Sequence, residues 1–161
     1  MKSDNSTKSA YLILHNIRSG QNVGSLFRTA DSAGVQKIFL TGYTPTPLDK
    51  YERPVKEIAK TALGAEKSIP WETCSFEDCV LKLKKENVQM VAIEQAESSV
   101  PYRKVNILFP VAFVLGNEVT GLEPEVLRHC DVIAEIPMKG EKESLNVSVA
   151  GGIAIFQMLG I

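Results

Sequence analysis

The chain holds three cysteines and two histidines in 161 residues, and neither type clusters. Cys74, Cys79 and Cys130 form no CxxC pair and have no histidine at metal-ligand spacing, so the sequence offers no metal site and no disulfide framework. The odd thiol count, with a polar start (MKSDNSTKSA) lacking any apolar secretory stretch, fits reduced cysteines in a cytoplasmic protein. Residues 1–10 are expected to form a flexible tail. His15 and His129 are isolated, which leaves a histidine-based triad without material. No apolar run reaches the ~20 residues of a membrane span, so no membrane partner is expected. Excess charge is lacking too: 18 Lys/Arg face 19 Asp/Glu, and a net charge of −1 gives no general nucleic-acid signature. The charge is nevertheless unevenly placed. Residues 1–67 carry a net of +4 and residues 68–161 a net of −5, so the first part could meet phosphate.

What is present is an ordinary globular composition, 44% hydrophobic and 23% charged, long enough for one domain over residues 11–161. Residues 11–17 (YLILHNI) predict a buried strand, and Asn22 is placed to cap a helix through Gly34. Val23, Leu26, Phe27 and Ala30 give that helix one apolar stripe. Strands are predicted over 37–41, 88–93, 111–115 and 132–136, and helices over 55–64, from Ser75 or Asp78 to about Glu86, and over 123–130. Three prolines make 42–54 a long, mobile loop, and 94–110 reads as irregular. Alternating strands and helices predict an α/β fold, a Rossmann-like parallel sheet with helices on both faces. The last helix, from about Asn146, is apolar on nearly every side. A chain this small can hardly surround it, which points to a homodimer contact; the alternative is burial in the domain's own core.

Three segments concentrate polar groups at predicted strand ends, where open α/β sheets bind ligands. In 16–34 (NIRSGQNVGSLFRTADSAG), Gly20 and Gly24 read as loop glycines leading to a helix N-terminus, a place for an anion. Arg28 lies opposite the apolar stripe and could clamp a phosphate. In 115–122 (LGNEVTGL), a glycine after a strand lets a ligand approach the backbone, and Glu118 could accept hydrogen bonds. In 136–148 (IPMKGEKESLNVS), Ser144 or Asn146 can cap the last helix, while the charged loop before it suits ligand binding.

Taken together and in this order, Asn22 to Arg28 (N-x5-R), LGNExxGL at 115–122 and IPM…SLNVSVA at 136–150 resemble the signature motifs of the SpoU/TrmH-type RNA 2′-O-ribose methyltransferases of the SPOUT superfamily. The resemblance implies S-adenosylmethionine as methyl donor, S-adenosylhomocysteine as product, and a ribose 2′-hydroxyl in tRNA or rRNA as acceptor. It implies a C-terminal trefoil knot around residues 115–146, a homodimer, and no metal. Arg28, Asn22, Glu118, Ser144 and Asn146 match the catalytic set. Cofactor contacts would fall on Ile93, Glu94, Gln95, Leu115, Gly116, Asn117, Ile136, Met138, Ser144, Leu145 and Asn146, and RNA contacts on Arg18, Asn22 and Arg28. Two features differ from fuller members: no separate N-terminal RNA-binding domain is expected, and the net charge is slightly acidic. Two other functions are weighed. A non-catalytic RNA-binding module is disfavoured by the intact polar set. The other is a small-molecule nucleotide-binding α/β enzyme using the Gly20–Gly24 loop for phosphate; the missing GxGxxG, with no acid placed after a second strand, argues against its dinucleotide form.

Overall fold

Aliphatic and aromatic side chains crowd Ala10–His15 (AYLILH), and in the computed structural model, which describes residues 8–161, they form strand β1 with Leu12, Ile13 and Leu14 wholly buried. The chain continues through α1 (Gly20–Ala33), β2 (Lys37–Thr41), α2 (Lys56–Ala62), α3 (Ala65–Ser68), β3 (Trp71–Cys74), α4 (Phe76–Lys85) and β4 (Gln89–Ile93). It then forms β5 (Val100–Pro101), β6 (Val111–Leu115), α5 (Pro124–Leu127), β7 (Val132–Glu135) and α6 (Val147–Leu159). Every strand pair is parallel, in the order β3-β2-β1-β6-β4-β7-β5.

Strand side chains alternate between two apolar layers, as the two-residue period requires. Leu12, Leu14, Val91, Phe113 and Leu115 pack with α1, α2 and α6, while Ile13, Met90, Ala112 and Val114 pack with α4 and α5. The α/β sheet with helices on both faces is therefore as the sequence predicts. The chain winds outward from β1 to β3, crosses to β4, and returns to lay β6 between β1 and β4. Loops leaving β1, β6, β4 and β7 consequently meet at the carboxyl edge of neighbouring strands.

Several boundaries differ from expectation. β1 starts at Ala10, and the Ser9 carbonyl already accepts from Val111 N–H, so the ordered chain reaches into the expected tail; residues 1–7 lie outside the described residues. Ser19, not Asn22, caps α1, its hydroxyl accepting from Asn22 N–H at 3.2 Å. This moves Gly20 and Gly24 from a loop into the helix, where both are buried. A Cβ on Gly24 would fall within the Ile58 carbonyl and Thr61 hydroxyl, and one on Gly20 would meet the Glu57 carboxylate. The two glycines thus serve close approach of α1 to α2 and form no phosphate loop.

β3 and α3 were not expected. Both have four residues, too short for a periodic signal, and β3 is only half-buried at the sheet edge. The 42–54 loop is long as expected but folded on itself. The Asp49 carboxylate accepts from Tyr51 and Arg53 N–H (2.8 and 3.0 Å), and Val55 N–H reaches the Pro47 carbonyl at 2.9 Å. Helix α6 buries Gly151, Ala154, Ile155 and Met158, with Gly151 set against Leu26 and Leu115. Its other side leaves Val149 48% and Ile153 41% exposed, so the domain core covers only one face. Among the described residues no helix is long and apolar enough to cross a membrane.

Candidate functional site

A cleft enclosing about 780 Å³, part of it open to solvent, lies at the carboxyl edge of β4, β6 and β7. From β4 come Ile93, Glu94 and Gln95; from β6 come Leu115, Gly116, Asn117 and Glu118; from β7 come Ile136 and Met138; and Ser144 and Leu145 precede α6. The structure thus gathers residues from Ile93 to Ala150 around one space. The expected cofactor residues all line it except Asn146. Val119, Thr120, Gly121, Val147 and Ala150 also line it and were missed, because nothing in their side-chain chemistry marks them. Isoleucine, leucine, valine and methionine side chains make one wall apolar, while the chain ends of β4 and β6 present main-chain polar groups.

Hydrogen bonds fix the walls. Asn117 is only 7% exposed and is the centre of the β6 loop. Its Oδ1 accepts from Val119 and Thr120 N–H (2.8 and 2.9 Å), and its Nδ2 donates to the Asn16 carbonyl (3.0 Å) and Tyr43 hydroxyl (2.9 Å). Asn16 sits in the left-handed region at φ 55°, a conformation asparagine tolerates, so β1 turns sharply and delivers that carbonyl. Glu94 spends its carboxylate on Gln95 N–H (2.8 Å) and Leu122 N–H (2.9 Å), tying the β4 and β6 loops. A side chain on Gly121, at φ 67°, would collide with it.

Asn117→Ala removes both amide partners of the Val119–Thr120 turn at once. A buried donor or acceptor left without its partner costs about 1–3 kcal/mol. The variant is expected to melt earlier and to bind the cleft's ligand at least about tenfold more weakly, measured by thermal denaturation and titration calorimetry. Unchanged values would show that the β6 loop holds itself.

Of the remaining expected site residues, Glu118 lines the cleft, while Arg18, Asn22, Arg28 and Asn146 do not. The Glu118 carboxylate accepts from Arg18 N–H at 2.9 and 3.2 Å, joining the loops after β6 and β1; the Arg18 side chain is exposed. Asn146 is the α6 N-cap, its Oδ1 accepting from Ser148 and Val149 N–H (2.9 and 3.3 Å). Its Nδ2 donates to Asn22 Oδ1 at 3.2 Å. This bond joins the first and third sequence segments across 124 residues. Ser144 does not cap α6 and stays exposed at the cleft. Arg28 follows Asn22 on the exposed face of α1, and its guanidinium makes no hydrogen bond or ion pair among the described residues.

Other chemistries lack groups. No cluster of His, Cys, Asp and Glu suited to a metal occurs among the described residues. Burial pushes the Cys130 thiol up to about 12 and raises Cys74 and Cys79 as well, so none is a ready thiolate nucleophile. Burial also lowers the pKa of His15 against the raising pull of Glu123 and Glu77; its Nδ1 pairs with the Thr41 hydroxyl at 2.8 Å.

The profile of the SpoU rRNA Methylase family matches residues 9–156. The chain is 35% identical over 148 residues to the 23S rRNA (guanosine-2′-O-)-methyltransferase RlmB of Xylella fastidiosa (strain 9a5c), covering 91% of this chain and 56% of that protein. The chain spans about half the length of such curated relatives. The crystal structure of an AdoMet-bound rRNA methyltransferase from Sinorhizobium meliloti superposes with a TM-score of 0.84 at 33% identity, covering 94% of this chain and 56% of that one. A TrmH/SpoU tRNA modifying enzyme from A. aeolicus gives 0.80 at 28% identity, covering 95% and 75%.

Proposed function

Because the chain belongs to the SpoU rRNA Methylase family, we propose that it is an S-adenosylmethionine-dependent RNA methyltransferase acting on a ribose 2′-hydroxyl of tRNA or rRNA. The observation that carries this reading is the Asn22–Asn146 hydrogen bond. It ties the first turn of α1 to the N-cap of α6, which adjoins the cleft-lining Leu145 and Val147, and Arg28 follows further along α1.

The chemistry of the cleft lining suits the donor. Adenine needs apolar walls, which Leu115, Ile136, Met138 and Leu145 supply, and main-chain groups beside Ile93, Gln95 and Gly116 can read its edge. Bound there, S-adenosylmethionine supplies a methyl group activated on a sulfonium sulfur and leaves as S-adenosylhomocysteine. The chain's own contribution is position. Arg28 offers a planar cationic fork to an RNA phosphate. In holding that phosphate it orients the 2′-hydroxyl, whose proton leaves to phosphate or water. Arg18 adds a second exposed cation at the same edge. Glu118, Ser144 and Asn146 form a polar rim, and Glu118 and Asn146 fix the neighbouring loops through the bonds described above. Holding reacting atoms in line at ~3–3.5 Å provides much of the acceleration such transfers need.

The same reading takes residues 11–161 as one cytoplasmic methyltransferase domain working as a homodimer without metal. The exposed Val149 and Ile153 of α6, beside the Asn146 cap, favour a subunit contact at the site's edge. It also includes a trefoil knot around residues 115–146. That is supported by β6 and β7 flanking β4, which precedes both in sequence. Titration calorimetry tests the cofactor. S-adenosylmethionine and S-adenosylhomocysteine should bind one per chain while ATP and NAD do not, and the reverse preference would contradict the reading. Sedimentation showing only monomer at micromolar concentration would remove the dimer.

A further inference from the structure

Tyr43, two residues beyond β2, combines exposure with constraint. Its ring is 60% exposed, yet its N–H donates to Asn16 Oδ1 at 3.1 Å and its hydroxyl accepts from Asn117 Nδ2 at 2.9 Å. The ring belongs to neither apolar layer and stacks on no other aromatic side chain among the described residues. An apolar ring left in water but held at both ends has already lost the freedom that binding would otherwise cost. Asn117 lines the cleft, so the ring's hydroxyl is one hydrogen bond from a residue of the cleft wall.

The same loop carries a second ring. Tyr51 is 65% exposed, with the Lys50 ammonium 5.0 Å and the Arg53 guanidinium 4.9 Å from its centroid. Arg53 is steadied by Asp49, whose carboxylate receives its Nε–H at 3.1 Å. Arg53 is ion-paired with Asp49, and Lys50 presents its charge to solvent with Glu52 two residues on. Exposed rings flanked by cations suit a polymer of flat bases joined by phosphates.

We infer that the loop between β2 and α2 is a nucleobase-stacking platform. Tyr43 takes an unpaired base of the RNA beside the target ribose, and Tyr51 with Lys50 and Arg53 takes a neighbouring nucleotide and its phosphate. The inference rests on the RNA-methylation reading above.

The test titrates the full chain, saturated with S-adenosylmethionine, into a single-stranded oligoribonucleotide containing 2-aminopurine, whose fluorescence falls when it stacks on an aromatic ring. Tyr43→Leu should weaken binding about tenfold and remove the quenching, whereas Tyr43→Phe should stay within about threefold of the parent. Tyr51→Leu, which touches none of the cleft, should also weaken binding severalfold. If Tyr43→Phe is as poor as Tyr43→Leu, the hydroxyl bond to Asn117 is what counts and the platform is overturned. Leucine variants that bind and quench like the parent overturn it equally. A parent chain that methylates RNA with ring-independent binding defeats the platform alone; a parent that neither binds nor methylates RNA removes the functional reading beneath it.

Discussion

Replacing Arg28 by alanine is expected to lower methyl transfer to RNA by at least about a hundredfold while leaving S-adenosylmethionine affinity within about threefold. The first figure follows from what one preorganised charged donor contributes at a reacting centre. The second follows from the fold: Arg28 lies on the exposed face of α1, does not line the cleft, and holds no other residue in place. Its removal therefore leaves the core and the cleft walls as they are. Arg28→Lys should recover only part of the loss, because an ammonium keeps the charge but cannot present two parallel N–H groups. Single-turnover transfer of labelled methyl, with calorimetry on the same preparations, separates the two effects. Near-normal turnover in Arg28→Ala would remove the arginine from the reaction.

The second large effect concerns Gly24, and its sign is informative. Were this glycine present only to let a backbone approach an anion, alanine would stabilise the chain by about 1 kcal/mol through helix propensity. In the structure the added methyl would enter the Ile58 carbonyl and the Thr61 hydroxyl of α2. Overpacking against backbone costs about 3 kcal/mol, which leaves a net loss of about 2 kcal/mol. For a chain of this length that lowers Tm by roughly 4–8 °C. A calorimetric melt of Gly24→Ala decides the matter, and a raised Tm would overturn the packing role.

Gly24 also illustrates what the sequence could and could not say. Its position before a helical stripe was legible, but a glycine required by a helix 34 residues later leaves no local mark. Likewise Ser19 and Asn22 are both cap-type residues; Ser19 takes the cap, while the Asn22 side chain pairs with Asn146 from the far end of the chain. Long apolar runs such as Val111–Leu115, buried at every position, announced the central strands plainly. β3 was not legible: its residues are half-exposed, and pairing with β2 alone makes it a strand. In the site, residues of the second and third motif segments line one cleft because those segments follow strand ends, whereas the first is joined to them only through Asn22 and Asn146. Tyr43 and Asn16 were missed as structural partners because their bonds to Asn117 span 74 and 101 residues.

The central claim is methylation of a ribose 2′-hydroxyl, and the chemical position of the transferred methyl tests it most directly. The protein is incubated with S-adenosylmethionine carrying a labelled methyl group and with total RNA, and the RNA is digested to nucleosides and separated by mass. The account predicts label on 2′-O-methyl nucleosides, dependent on Arg28. Label found on bases alone, or none on RNA, would contradict it.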